Sequence, residues 1–290
     1  MKNLKTNVSM MLMATACLLI ASTESCEKSS YQPPAIESSG SVGKNVSKTS
    51  AVTRYLAINS NSADFQNLVN QSVSGDIIII RTGSHYVTTP ISLPIGKNGI
   101  TIRGEAGAII RKAPNSFAAA AIEIRGNSNT IDLIELDGGN LPEAGIIIYG
   151  QYNTVSNSKI HNCGTAAAKG AGILIHNTGN PVCAYNVVRG CTVYYNYMVG
   201  ISQNGHSDGT VRDNIIYENG AEGITIDLLS HNNLTENNTV NMNNTADRGV
   251  GGIGIDQANG NRILNNTVSN TRYRSGLTFQ NNIGAVTVRL

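Results

Sequence analysis

The chain has 290 residues, of which 14% are charged and 5% aromatic, with 30 glycines and no tryptophan. That composition is poor material for a helical bundle and suits many short strands joined by tight turns. A formal net charge of +2, part of it from lysines at the extreme amino terminus, excludes a basic field of nucleic-acid-binding strength, so no nucleic-acid partner is expected.

Residues 1–25 read as an export signal. Met1 to Lys5 carry charge, and Val8 to Ala21 form an apolar run too short to span a bilayer. The polar stretch that follows, residues 26–50, resembles the tether of a bacterial lipoprotein. That resemblance implies lipid on Cys26, a membrane contact through the anchor alone, and residence in the periplasm or at the outer surface. Cys17 is a competing site, and cleavage after Ser25 without lipid is the simpler alternative. Cys163, Cys183 and Cys191 remain in the mature chain and permit at most one disulfide.

Residues 51–290 read as one repetitive domain. Ser62 to Gln71 is expected to form a short helix with Phe65, Leu68 and Val69 on one face, followed by a strand from Asp76 to Arg81. A helix at that place would cover the unpaired edge of the first coil of a solenoid. Gly75 to Ile80, Pro90 to Leu93 and Gly99 to Gly104 resemble the first coil of pectate-lyase-like proteins.

Downstream one phrase returns at Ala121, Gly145, Gly172, Gly200, Gly223, Gly252 and Gly276, each followed by an alternating strand such as Gly223-Ile-Thr-Ile-Asp227. The starts are separated by 24, 27, 28, 23, 29 and 24 residues, the period of a solenoid coil. A second phrase lies between copies, as in Val211 to Ile216 and Ile263 to Val268, so two strands per coil are visible. The expected fold is all-β: a single-stranded right-handed parallel β-helix with a short N-terminal capping helix. The chain stops at Leu290 with no capping segment. That open edge calls for further sequence or for a second copy, a route to a homo-oligomer.

Alternation along each strand points Ile124, Ile148, Ile175, Ile226, Ile255 and Phe279 inward, with Gln203 interrupting the column and in need of a hydrogen-bond partner. Asn214, Asn238 and Asn266 recur at one turn and read as a ladder of amides bonded from coil to coil. The fifth residue of each phrase faces outward, giving a polar strip of Arg125, Tyr149, His176, Asn204, Asp227, Asp256 and Gln280. Such a strip suits a polymer, with Tyr149, His176, Asn204, Asp256 and Gln280 as binding residues. Asp227 and Asp256 on adjacent coils are like charges that call for a proton, a substrate or a cation between them, calcium being the candidate metal.

Lys169 to Ile173, Gly200 to His206, Glu222 to Asp227, Glu236 to Val240 and Ala246 to Arg248 resemble the catalytic module of bacterial mannuronan epimerases, over about residues 169–252. The resemblance implies a uronate-containing polysaccharide as substrate and proton abstraction at carbon 5, with Lys169, His206, Asp227 and Arg248 around the reacting sugar. The family's Tyr-Gly-Phe-Asp-Pro-His stretch here reads Val199-Gly-Ile-Ser-Gln-Asn-Gly-His206, two residues longer and without the tyrosine and first aspartate. His206 would be the base, Lys169 and Arg248 the stabilising charge, and lyase and epimerase outcomes both stay open. Two rival readings keep the fold: a glycoside hydrolase using Asp227 and Asp256, and a glycan-binding or structural surface protein without catalysis.

Overall fold

The computed structural model describes residues 50–114, 119–140, 143–166, 170–179, 182–271, 276–280 and 285–289. The expected leader, Cys26 and Lys169 lie outside the described residues.

From Thr53 onward the chain winds through three parallel sheets of ten, eight and eight strands. It is a right-handed parallel β-solenoid with a single helix among the described residues. One coil runs Thr210–Arg212 in the ten-stranded sheet, Ile215–Tyr217 in the second and Ile224–Asp227 in the third. There are therefore three strands per coil, one more than the two visible in the sequence. The phrase Val211 to Ile216 is not one strand but two, bent at Asp213, which takes the left-handed conformation with φ 57°. The turn is made by one left-handed residue, as at the equivalent Asn157, Gly190, Asn237 and Asn265, so it is too short to separate the two strands in the sequence.

The helix forms over Ser62–Gln71, where the Asn61 side chain accepts from the Ala63 and Asp64 N–H groups and Asp64 reaches back to the Asn61 N–H. Phe65 and Val69 are fully buried and Leu68 packs against the core. The helix covers the first strand of the third sheet, Ile91–Leu93. The Gln66 amide accepts from the Ser92 N–H at 2.9 Å and donates to its carbonyl at 3.0 Å, which satisfies the edge backbone as a neighbouring strand would.

The recurring Gly-Ile phrases form the third sheet in the expected register. Ile148 lies between Ile124 and Ile175, and Gln203 between Ile175 and Ile226. Ile124, Ile148, Ile175, Ile226 and Ile255 are at most 1% exposed. Phe279 departs from the expectation: it pairs with Ile255 but is 48% exposed. Its strand is the last of this sheet, and no described strand stacks on its far side.

The amide ladder runs as expected, Asn214 N–H to Asn238 Oδ1 at 3.0 Å and Asn238 N–H to Asn266 Oδ1 at 2.9 Å. Each of the other two corners carries one as well. Asn129, Asn153 and Asn186 link in sequence at one, and Asn196, Asn219 and Asn243 at the other. A turn amide that both accepts and donates satisfies buried backbone groups that no strand can reach. The three cysteines are free and buried, and burial pushes the Cys183 and Cys191 thiols up to about 12, so they serve as packing groups.

Candidate functional site

The outward strip is continuous. Arg125 pairs with Glu123 and lays its guanidinium 4.1 Å from the Tyr149 ring centroid, and Tyr149 meets the His176 ring edge to face at 5.9 Å. His176 pairs in register with Asn204, Asn204 with Asp227, and Asp256 with Gln280. His176 Nδ1 and Asn204 Oδ1 are buried atoms with no hydrogen-bond partner among the described residues.

At one end the strip opens into a cavity of about 340 Å³ lined by Asn204, Glu222, Asp227, Asp256 and Gln280, with Gly254 in its floor. Asp227 and Asp256 therefore share one site, as the repeat implied, and a third carboxyl joins them. Glu222, which precedes the Gly223 phrase, is not among the site residues the sequence points to. A Cβ built on Gly254 would stand 2.9 Å from Glu222 Oε1 and 3.1 Å from its Cγ, so the absence of a side chain there makes the notch in which the Glu222 carboxyl lies. Every other described copy of the phrase has a side chain at that position, and the glycine is the one sequence signal that could have marked Glu222.

Among the described residues no group of His, Cys, Asp and Glu has the geometry to hold a metal ion. The crowding of carboxyls shifts Asp227 most. Burial raises Asp227, and the neighbouring Glu222 and Asp256 carboxyls raise it further, to about 7 against a hydrogen bond from Thr225 that lowers it. Burial also raises Glu222, opposed by the charge of Arg248. Arg248 itself is exposed, with its guanidinium 4.9 Å from the Tyr197 ring centroid and its N–H held by Asn244 Oδ1.

His206 corrects the sequence reading. Its side chain is fully buried inside the solenoid and does not line the cleft. The corner ladder explains why. The next amide in the series after Asn186 should come from position 209, which is glycine, and the imidazole of His206 fills that space: a Cβ on Gly209 would lie 1.8 Å from its Cε1. The Asn186 N–H donates to His206 Nε2 at 3.2 Å, so the ring is neutral and protonated on Nδ1, 3.3 Å from Gln203 Oε1. Gln203 then donates from Nε2 to Thr235 Oγ1 at 3.4 Å, which supplies the partner its buried amide required. Burial holds the His206 pKa down at about 3, unsuited to a base exchanging protons with a substrate at neutral pH. Of the residues expected around one sugar, Asp227 lines the cleft, Arg248 lies near Glu222 and His206 is interior, while Lys169 lies outside the described residues.

This account of His206 predicts a rescue. His206→Ala leaves a cavity and an orphaned Asn186 N–H and should cost about 2–4 kcal/mol in urea unfolding. Adding Gly209→Asn, which restores the ladder amide, should recover at least half of the loss. No recovery in the double variant would refute the ladder role.

A family model described as the right-handed beta helix region matches residues 144–289. The chain belongs to this family. No curated protein matches it. Several solved structures are similar to this β-helix, three of them as follows. The GH87 alpha-1,3-glucanase from Streptomyces thermodiastaticus strain HF3-3 has a TM-score of 0.56 at 15% identity, over 83% of this chain and 42% of that one. The PL6 family alginate lyase AlyGC has a TM-score of 0.53 at 11% identity, over 86% and 41%. The A-module of the mannuronan C-5 epimerase AlgE4 from Azotobacter vinelandii has a TM-score of 0.39 at 11% identity, over 80% and 95%. The β-helix spans less than half of the glucanase and the lyase. At these identities the likeness is one of fold.

Proposed function

We propose that the β-helix acts on a polysaccharide laid along the strip and cleaves a glycosidic bond by hydrolysis, with Asp227 as general acid and Asp256 as the second carboxyl. The observation that carries this reading is the convergence of Glu222, Asp227 and Asp256 on one cavity at the end of a polar strip. A leaving sugar oxygen needs a proton, and Asp227, titrating near 7, holds one at neutral pH while still able to give it up. Asp256 on the neighbouring coil then either attacks the sugar or activates water, a close pair of carboxyls favouring direct attack and a wider pair leaving room for the water. The similarity to a glucanase of the same fold agrees with this and does not decide it.

A uronate polymer is the second reading, favoured by Arg248, whose positive charge stands near enough to draw the Glu222 pKa down. In this reading Arg248 receives the sugar carboxylate, an ionised carboxyl of the cleft takes the carbon-5 proton, and the carbon-4 oxygen leaves with the proton of Asp227, so that elimination replaces hydrolysis. The purified protein, incubated with soluble glucans, mannans and polyuronates, separates the two. Hydrolysis is expected to release reducing ends without ultraviolet absorbance, with a rate that falls as pH rises through about 7 because the acid form of Asp227 is lost. Absorbing unsaturated ends from a polyuronate would replace hydrolysis with elimination. Neither product from any polymer, with no inversion at carbon 5 of a polyuronate by proton NMR, would leave no support for an enzyme.

A further inference from the structure

The corner that follows Asp227 carries an unusual pair. From Asp227 to Leu234 the chain is one residue longer than from Asn204 to Thr210 or from Asp256 to Arg262, although these residues pair in register at the start of the next strand. The surplus residue makes a bulge at Leu228 and Leu229, with φ 49° and 66°. Single left-handed residues occur at many corners, but among the described non-glycine residues this is the one consecutive pair. The surrounding backbone fixes it. The Gly205 N–H donates to Asp227 O, the Leu229 N–H to Gln257 O, and both the N–H and the hydroxyl of Ser230 to Asp227 O.

Nothing in the fold asks for leucine here. The two side chains are 51% and 60% exposed and belong to no core cluster. The left-handed conformation favours glycine or asparagine, and at the matching corners it is taken by Gly205 (φ 68°) and by Gln257 (φ 50°), neither of them apolar. Leu228 nevertheless stands between two cavities. It lines the carboxyl cavity with Glu222, Asp227 and Asp256, and it lines a second of about 360 Å³ with His176, Asn204 and His231. A bulge that holds an apolar side chain in a costly conformation beside a polar cleft is a device for re-aiming that side chain.

We propose that Leu228 and Leu229 form a specificity-determining ridge across the strip. A pyranose ring of the bound glycan rests its apolar C–H face on Leu228, and the neighbouring sugar enters the carboxyl cavity. The inference rests on the polysaccharide reading above and adds the feature that selects the sugar. The ridge favours a unit that presents axial hydrogens as a flat apolar face over one bearing a charged or bulky substituent there, because burying such a group on leucine leaves it without a partner.

The test uses Leu228→Gly and Leu228→Met on a polysaccharide that the wild-type protein cleaves. Glycine adopts the left-handed conformation freely and removes the apolar face. The melting temperature is therefore expected to hold or rise, while KM rises about tenfold and kcat stays within about twofold. Methionine keeps an apolar chain and should stay within about threefold of wild type in KM. A folded glycine variant with wild-type KM, or a methionine variant as impaired as glycine, would overturn the ridge while leaving the hydrolase reading intact. A wild-type protein that neither binds nor cleaves any polymer of the panel would instead remove the polysaccharide reading and the ridge with it.

Discussion

Asp227→Asn should lower glycan turnover by about 10²–10⁴-fold, the range for loss of a general acid, and should also stabilise the protein at alkaline pH. In the fold Asp227 titrates near 7, against 3.8 for an unperturbed aspartate. Between those values the folded chain keeps a proton that the unfolded chain has released, so stability falls as pH rises across the window. Asparagine never ionises and is spared that cost. After allowance for solvent at the mouth of the cleft, the variant should gain about 1–2 kcal/mol at pH 8 and nothing at pH 3. Thermal unfolding at the two pH values measures the gain, and a variant no more stable at pH 8 would mean that Asp227 is ionised there without penalty.

His206 has the opposite sign. Its folded pKa near 3 lies below the ordinary 6.5, so stability is lost as pH falls across that interval. The two slopes partly cancel in the wild-type protein, and Asp227→Asn should remove the contribution that opposes the His206 slope. Glu222→Gln gives a companion test. It removes a like charge that raises Asp227, so the alkaline limb of the activity profile should move to lower pH with turnover retained. An unmoved limb would mean that burial alone sets the Asp227 pKa.

The parts of this protein that were legible in its sequence are those fixed by period. The Gly-Ile phrase, its inward isoleucines and the outward strip follow from alternation within a strand and from stacking at a constant repeat. Features that depend on what stands in another coil were not legible. His206 looks like a catalytic base until Gly209 is seen to lack the ladder amide that the ring replaces. The Glu222 carboxyl enters the cleft because position 254 is glycine, 32 residues away. The third strand of each coil was hidden because its bend takes up a single left-handed residue, as at Leu133, Asn157, Asp213 and Asn237, so two strands read as one phrase. The one-residue surplus after Asp227 could have been counted in the sequence, but its meaning required the register of both flanking strands.

The largest loss of stability should come from the amide ladder. Asn238 is 1% exposed and makes four bonds: Oδ1 accepts from the Asn214 N–H and Nδ2 groups at 3.0 and 2.9 Å, and Nδ2 donates to Val211 O at 3.0 Å and Asn266 Oδ1 at 2.8 Å. Alanine leaves the buried Asn214 N–H and the Val211 carbonyl without partners in a cavity that must either hold water or stay empty. Each orphaned group costs about 1–3 kcal/mol, so Asn238→Ala should lose about 3–5 kcal/mol in urea unfolding. Asn238→Asp separates geometry from hydrogen-bond direction. It keeps the oxygen that serves Asn214 but cannot donate to Val211 O while ionised, and it should be nearly as damaging at pH 7 and milder at pH 4, where a protonated carboxyl can donate. Because each coil touches only its neighbours, the damage should also be local. Hydrogen exchange is expected to quicken in the strands flanking Asn214 and Asn266 before those near the capping helix. A loss below about 1 kcal/mol would mean that water takes the place of the amide, and the ladder would then be a consequence of coil stacking rather than one of its causes.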